Sequence, residues 1–106
     1  MTQKEFGDIL AVSGFPVTYL AFPADNCPEM PFITFQEVGS NNVSADGIVF
    51  KKVKIYQVDL FTRDKDPAAE EALENALADY FWNKVQTLDE NEACQRYTYT
   101  LEVFGG

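Results

Sequence analysis

Hydrophobic positions along the chain change period several times, and each change marks an element. Between residues 3 and 13, Phe6, Ile9, Leu10 and Val12 stand among polar neighbours at spacings near three and four. That spacing predicts one apolar stripe of a short helix, which Gly14 stops. Phe15-Pro16 then opens an extended run, Val17 to Phe22, rich in β-branched and aromatic residues, and predicts a first strand. Pro23 to Pro31 holds three prolines with Asp25, Asn26 and Cys27, a composition in which neither ladder nor helix persists. A second strand is expected from Phe32 to Val38. Gly39 to Gly47 is nearly all turn formers, and a 15-residue run from Ile48 to Thr62 follows it, so the two strands should form an antiparallel hairpin.

That third strand is long for its container. Fifteen residues at about 3.3 Å each reach roughly 50 Å, whereas a domain of this length has a radius of gyration of about 13 Å. Val53 and Ile55 share one parity, and Tyr56, Val58 and Leu60 the other, so the buried face changes side around Ile55 through a β-bulge or a change of packing partner. Tyr56 to Leu60 is expected in the core sheet. Residues 36–54 are expected to project as a hairpin arm, whose outer part carries Lys51, Lys52 and Lys54.

At the end of this run, Asp66 is placed to cap a helix, Pro67 suits its first position, and Glu70 and Glu71 favour the positive end of its dipole. Ala69, Leu73, Ala76, Leu77 and Tyr80 mark its apolar face, which predicts a helix to about Phe81. A short strand around Val85 and Thr87 and the polar turn Asp89 to Glu92 follow. Arg96 to Phe104 then alternates, with Tyr97, Tyr99, Leu101 and Val103 inward and Arg96, Thr98, Thr100 and Glu102 outward. The order α-β-β-β-α-β-β predicts a single α+β domain over residues 1–106, with a mostly antiparallel sheet and helices on one face.

Composition narrows what such a domain does. With 106 residues, 46% of them hydrophobic and 14% aromatic, the chain should bury roughly 65% of its unfolded surface and fold without disulfide or metal. A formal charge of -9 from 8 basic and 17 acidic residues argues against nucleic-acid and anionic-membrane partners, which require an excess of Lys and Arg. No apolar run approaches the roughly 20 residues of a membrane span. The acids near the N-terminus do not fit a signal peptide, so the expected compartment is a cytoplasm.

Candidate chemistry is sparse. The chain has no His, which removes imidazole triads and His-ligated metals, and no nucleotide-binding or HExxH motif is present. Cys27 and Cys94 lack any CxxC context and read as reduced structural thiols; a bridge between them stays open on arithmetic alone. Asp46, Asp64 and Asp66 could meet a divalent cation only if loops converged, and no EF-hand spacing supports that. Glu70, Glu71 and Glu74 read as a solvated helix face rather than a carboxylate mechanism. No enzyme, cofactor or metal is therefore expected. Five of the eight basic residues, Lys51, Lys52, Lys54, Arg63 and Lys65, fall in one segment against Asp59 and Asp64, a local balance of +3. Lysines that guard an edge strand explain it. So does self-complementary assembly, in which the basic arm of one subunit meets the acidic helix of the next.

Phe15-Pro-Val-Thr-Tyr, Pro31-Phe-Ile-Thr-Phe, Asn41-Asn-Val-Ser-Ala-Asp, Lys51-Lys-Val, Val58-Asp-Leu-Phe-Thr, Lys65-Asp-Pro-Ala-Ala-Glu and Tyr97-Thr-Tyr-Thr-Leu-Glu-Val together resemble the small tail-completion or tail-terminator proteins of long-tailed bacteriophages and prophages. The resemblance spans nearly the whole chain and is a pattern of strands, polar hairpin tip and Asp-Pro helix start. It implies a non-enzymatic virion protein, assembled in the host bacterial cytoplasm, that forms a ring, typically a hexamer. The ring would cap the tail tube, contacting the tube protein on one side and the head-side connector on the other. Asn41, Asn42, Asp46, Lys51, Lys52, Lys54, Arg63, Lys65, Glu70, Glu71 and Glu74 are the expected interface residues, from shape and charge. Another head-tail connector or neck component is an alternative. So is a small ligand-binding or regulatory module with a pocket near Pro23 to Pro31.

Overall fold

A computed structural model describes residues 2–22, 28–40, 43–45, 48–51, 53–89 and 94–104, with the backbone alone at 43–45, 48–51, 87–89 and 104. The elements in chain order are α1 (Gln3–Ala11), β1 (Val17–Tyr19), β2 (Phe32–Ser40), β3 (Val43–Ala45), β4 (Ile48–Lys51), β5 (Val53–Thr62), α2 (Pro67–Ala76), β6 (Trp82–Asp89) and β7 (Cys94–Phe104). Five strands form one sheet in the order β1-β2-β5-β7-β6, and β3 with β4 forms a separate two-stranded sheet. Among the described strands, only β1 and β2 run parallel. The 12 residues between them make that possible, since a parallel return needs about a dozen residues of connection.

Both helices lie on one face of the large sheet, because the period-2 pattern of its strands offers one continuous apolar side. In register, Ile33 faces Leu60 and Phe35 faces Val58; Leu60 faces Tyr97, Val58 faces Tyr99 and Tyr56 faces Leu101. Phe6 and Leu10 of α1 and Ala69, Leu73 and Leu77 of the α2 region close over these side chains as one core. Each large apolar side chain buried this way contributes about 1.5–3 kcal/mol. Phe6 is the keystone of α1. Its ring stacks on Tyr56 at 4.4 Å between centroids and meets the edges of Phe35 at 5.6 Å and Tyr80 at 6.2 Å.

The helix ends follow from local chemistry. Thr2 and Glu5 form a reciprocal capping box at the start of α1: the Glu5 N–H donates to Thr2 Oγ1 at 3.1 Å and the Thr2 N–H to Glu5 Oε1 at 3.4 Å. Gly14, at φ 90°, turns the chain out of the helix, a conformation only glycine adopts without strain. Val12 caps the helix and is 78% exposed, so it belongs to the turn and not to the apolar stripe. At α2, Asp66 Oδ1 accepts the Ala69 N–H at 3.1 Å and Pro67 occupies the first turn. The helix stops at Ala76 rather than near Phe81. Leu77 and Tyr80 keep the apolar spacing, but in tight turns that feed the chain into β6, and Phe81 is left 98% exposed.

Four strand boundaries differ from the sequence pattern. The first strand ends at Tyr19, because Leu20 takes φ 69° and turns away 61% exposed. The run Ile48 to Thr62 is two strands: β4 pairs with β3, while β5 pairs with β2 and β7. No single partner could follow a 50 Å strand. The turn-forming stretch after Val38 contains β3, and Gly39 and Ser40 extend β2. β6 takes up eight residues, longer than its weak alternation suggests. The change of buried face at Ile55 is present: Val53 is 2% exposed on the side opposite Tyr56. The irregularity that accompanies it sits in β2, where Val38 is skipped between Glu37 and Gly39. β5 and β7 stay in unbroken register from Val53 opposite Phe104 to Thr62 opposite Gln95.

Candidate assembly interface

The seam between α2 and the sheet carries the densest polar network among the described residues. Lys84, on the helix-facing side of β6, reaches Glu70 Oε1 and Glu74 Oε2, each at 2.9 Å. Lys65 adds a second cation to Glu70 at 3.4 Å and donates to Gln86 Oε1 at 3.0 Å. The Tyr99 hydroxyl donates to Glu74 Oε2 at 2.9 Å. Glu70 is therefore buried, at 6% exposure, and not part of a solvated face; burial is tolerated because two ammonium groups sit on its carboxylate. Glu74 is half-buried in the same network, and only Glu71 of the three is open to solvent.

This network fixes a pH response. Hydrogen bonds from Lys84 to Glu74 and then to Glu70 hold its ammonium pKa above the ordinary lysine value. Burial, followed by the hydrogen bond to Glu74, pushes the Tyr99 phenol far up. Burial likewise raises Tyr56 and Tyr80. All four groups keep their protons longer folded than unfolded. Their stabilisation is therefore complete below the unfolded pKa values, near 10, and lost as pH rises through the folded ones. The urea midpoint should hold to about pH 9 and fall steadily by about pH 11, and Tyr99→Phe should shallow the fall. A midpoint level across that range would show that these contacts do not couple to folding.

On the opposite face of the sheet, Asp59 is 4% exposed. Its carboxylate accepts from Arg96 Nε and Nη2, both at 3.2 Å, from Thr98 Oγ1 at 2.6 Å and from Gln57 Nε2 at 3.0 Å. The Arg96 guanidinium also lies over the Phe61 ring at 5.6 Å, and Phe61 stacks on Phe32 at 5.0 Å. The forked geometry suits a carboxylate, and no described buried side-chain polar atom lacks a partner. The arrangement orders β5 against β7; it has no free group to act on a substrate.

Of the residues expected at an interface, Asn41, Asn42, Asp46 and Lys52 lie outside the described residues, and Lys51 is placed by its backbone in β4. Lys54 is half-buried opposite Val103, and Arg63 is exposed beyond β5. The structure brings Lys65, Glu70 and Glu74 together and leaves Arg63 and Glu71 apart from them. Lys84, Tyr99, Asp59 and Arg96 carry networks that the sequence pattern did not single out. Their signals were the lone cation of β6 and an aspartate inside the apolar run Tyr56 to Phe61. Of the two cysteines, Cys94 is buried and Cys27 lies outside the described residues. No three His, Cys, Asp or Glu side chains converge on a metal-sized site among the described residues, and no described helix is long and apolar enough to cross a membrane.

A further surface lies where the chain enters β6. A pocket of about 530 Å³ opens there, with Ile55, Tyr80, Phe81 and Leu101 as its apolar wall and Asp79 and Glu102 among its polar lining. Beside it runs β6, the last strand of the sheet, whose outer edge pairs with no strand among the described residues.

The fold recurs in a solved structure titled "Virion of native gene transfer agent (GTA) particle". One chain of that particle matches 92% of this chain and 84% of its own length with a TM-score of 0.59 at 15% identity. No protein-family model matches the sequence, and no curated protein does so significantly.

Proposed function

We propose that the chain is a non-enzymatic structural protein of a phage-type virion, and that its place there is tail terminator. The observation that carries this reading is the near full-length match of its fold to a chain of the gene-transfer-agent virion. The sequence resemblance to tail-completion proteins supports the finer assignment. In this reading copies of the chain form a ring, of hexameric size by that resemblance, that caps the tail tube and presents its other side to the head connector. Residues 36–54 form the projecting arm that reaches a neighbour. The separate pairing of β3 with β4 and a longest dimension of 49 Å against 27 and 25 Å suit such an arm.

Light scattering after size exclusion, across about a hundredfold range of concentration that can reveal mass-action assembly, should give a species of several subunits. Negative-stain images of that peak should show rings with a central opening. Rings that do not stop growing tail tubes would move the assignment to a neck or connector component. A monomer throughout, with none added to tube ends, would remove the virion-ring reading.

A further inference from the structure

The seam network removes Glu70 and Glu74 from consideration as an acidic receptor for a neighbouring subunit, because Lys65 and Lys84 of the same chain already hold them. A different surface has what such a receptor needs. Phe81 is 98% exposed and Val85 62% exposed. Val85 alternates with Lys84 in β6, so the strand period directs it to the side away from the helices, and Phe81 stands just before the strand, on the wall of the pocket. A bare Phe flanking an open pocket is an unusual expense of apolar surface for a solvated turn. The adjoining outer edge of β6 pairs with no strand among the described residues, and its single lysine, the usual guard of such an edge, is turned to the helix side and held by two carboxylates.

Resting on the assembly reading above, we infer that Phe81, the outer edge of β6 and the pocket beside them receive a second copy of this chain through its β4, residues 48–51. The occupant is chosen by charge and by chemistry. β4 and the residue that follows it in sequence, Ile-Val-Phe-Lys-Lys, are apolar and cationic with no acid, whereas segment 79–92 carries Asp79, Asp89, Glu90 and Glu92 against Lys84 alone; Glu102 lines the pocket. An extended segment laid along an open edge gains main-chain hydrogen bonds from the edge and specificity from a pocket for its side chains. Because donor and receptor are different surfaces, the contact is head-to-tail and propagates from subunit to subunit until it closes.

The test uses two full-length variants that complement each other. Phe81→Asp with Asp79→Lys alters only the receptor, at side chains that are exposed; Lys51→Glu and Lys52→Glu together alter the donor. Circular dichroism and a thermal melt confirm that each is folded. Each variant alone should lose association by at least about tenfold, as an interface centre does when its anchor is removed. Mixed with parent protein, each should cap a growing ring on one side only, leaving short oligomers. Variants of the receptor that assemble as the parent does, while the donor variant fails, would overturn this receptor and leave ring formation intact. A folded parent that stays monomeric would instead overturn the ring reading itself, and this contact with it.

Discussion

Phe6→Ala is expected to cost about 3–5 kcal/mol of folding stability and to release α1 from the sheet. The side chain is fully buried, and the three rings around it, Phe35, Tyr56 and Tyr80, come from β2, β5 and the turn after α2. None of the three can move into the vacancy without leaving its own strand or turn, so the site collapses little and the cavity term stays large. Aromatic pairing adds to the loss beyond area alone. Since a domain of this size has a total stability of about 5–15 kcal/mol, the variant should stand close to unfolding at room temperature. Urea denaturation followed by tyrosine fluorescence measures it. A loss below about 1.5 kcal/mol, the range of a tolerated swap, would mean that α1 is not docked as described.

Arg96→Ala should come next, at about 2–4 kcal/mol. Removing one partner of a buried pair leaves the other charge without compensation, typically at about 3–5 kcal/mol. The Arg96 side chain is itself 38% exposed, so water can reach part of the vacated space and the lower end applies. Thr98 and Gln57 still donate to Asp59 in the variant. Asp59→Asn should cost less than Arg96→Ala, because it removes the buried charge together with its need for a counter-ion. In the double variant the two losses should fall short of adding. Additive losses would show that the two side chains act independently.

How much of this architecture is legible in the sequence depends on how local its cause is. β7 can be read directly because a buried strand against a solvated face writes a period of two, Tyr97 to Val103, onto the chain. The start of α2 can be read because Asp66 and Pro67 each satisfy a requirement of the first helical turn. The end of α2 cannot, since Leu77 and Tyr80 pack on the core whether the chain between them is helix or turn. β3 is hidden for a related reason: Val43-Ser-Ala is too short to show a period, and its pairing depends on β4. The polar networks are less legible still. Glu70 and Lys84 are 14 residues apart and meet only because α2 packs over β6, while Asp59 and Arg96 are 37 apart and meet only through the register of β5 on β7. A run such as Glu70-Glu-Ala-Leu-Glu reads as a solvated face until the strand opposite supplies the cations.

The unbroken register of β5 on β7 also has a mechanical meaning. Ten consecutive residues of β5 are matched to β7, about 33 Å of ladder at the usual rise, and β5 begins two residues after β4 ends at Lys51. Tension applied to segment 48–51 would enter the sheet lengthwise along β5. A ladder pulled lengthwise resists as a shear joint, in which the hydrogen bonds share the load and must yield together, whereas one pulled sideways opens like a zip. A subunit gripped by that segment would thus be held through the middle of its sheet.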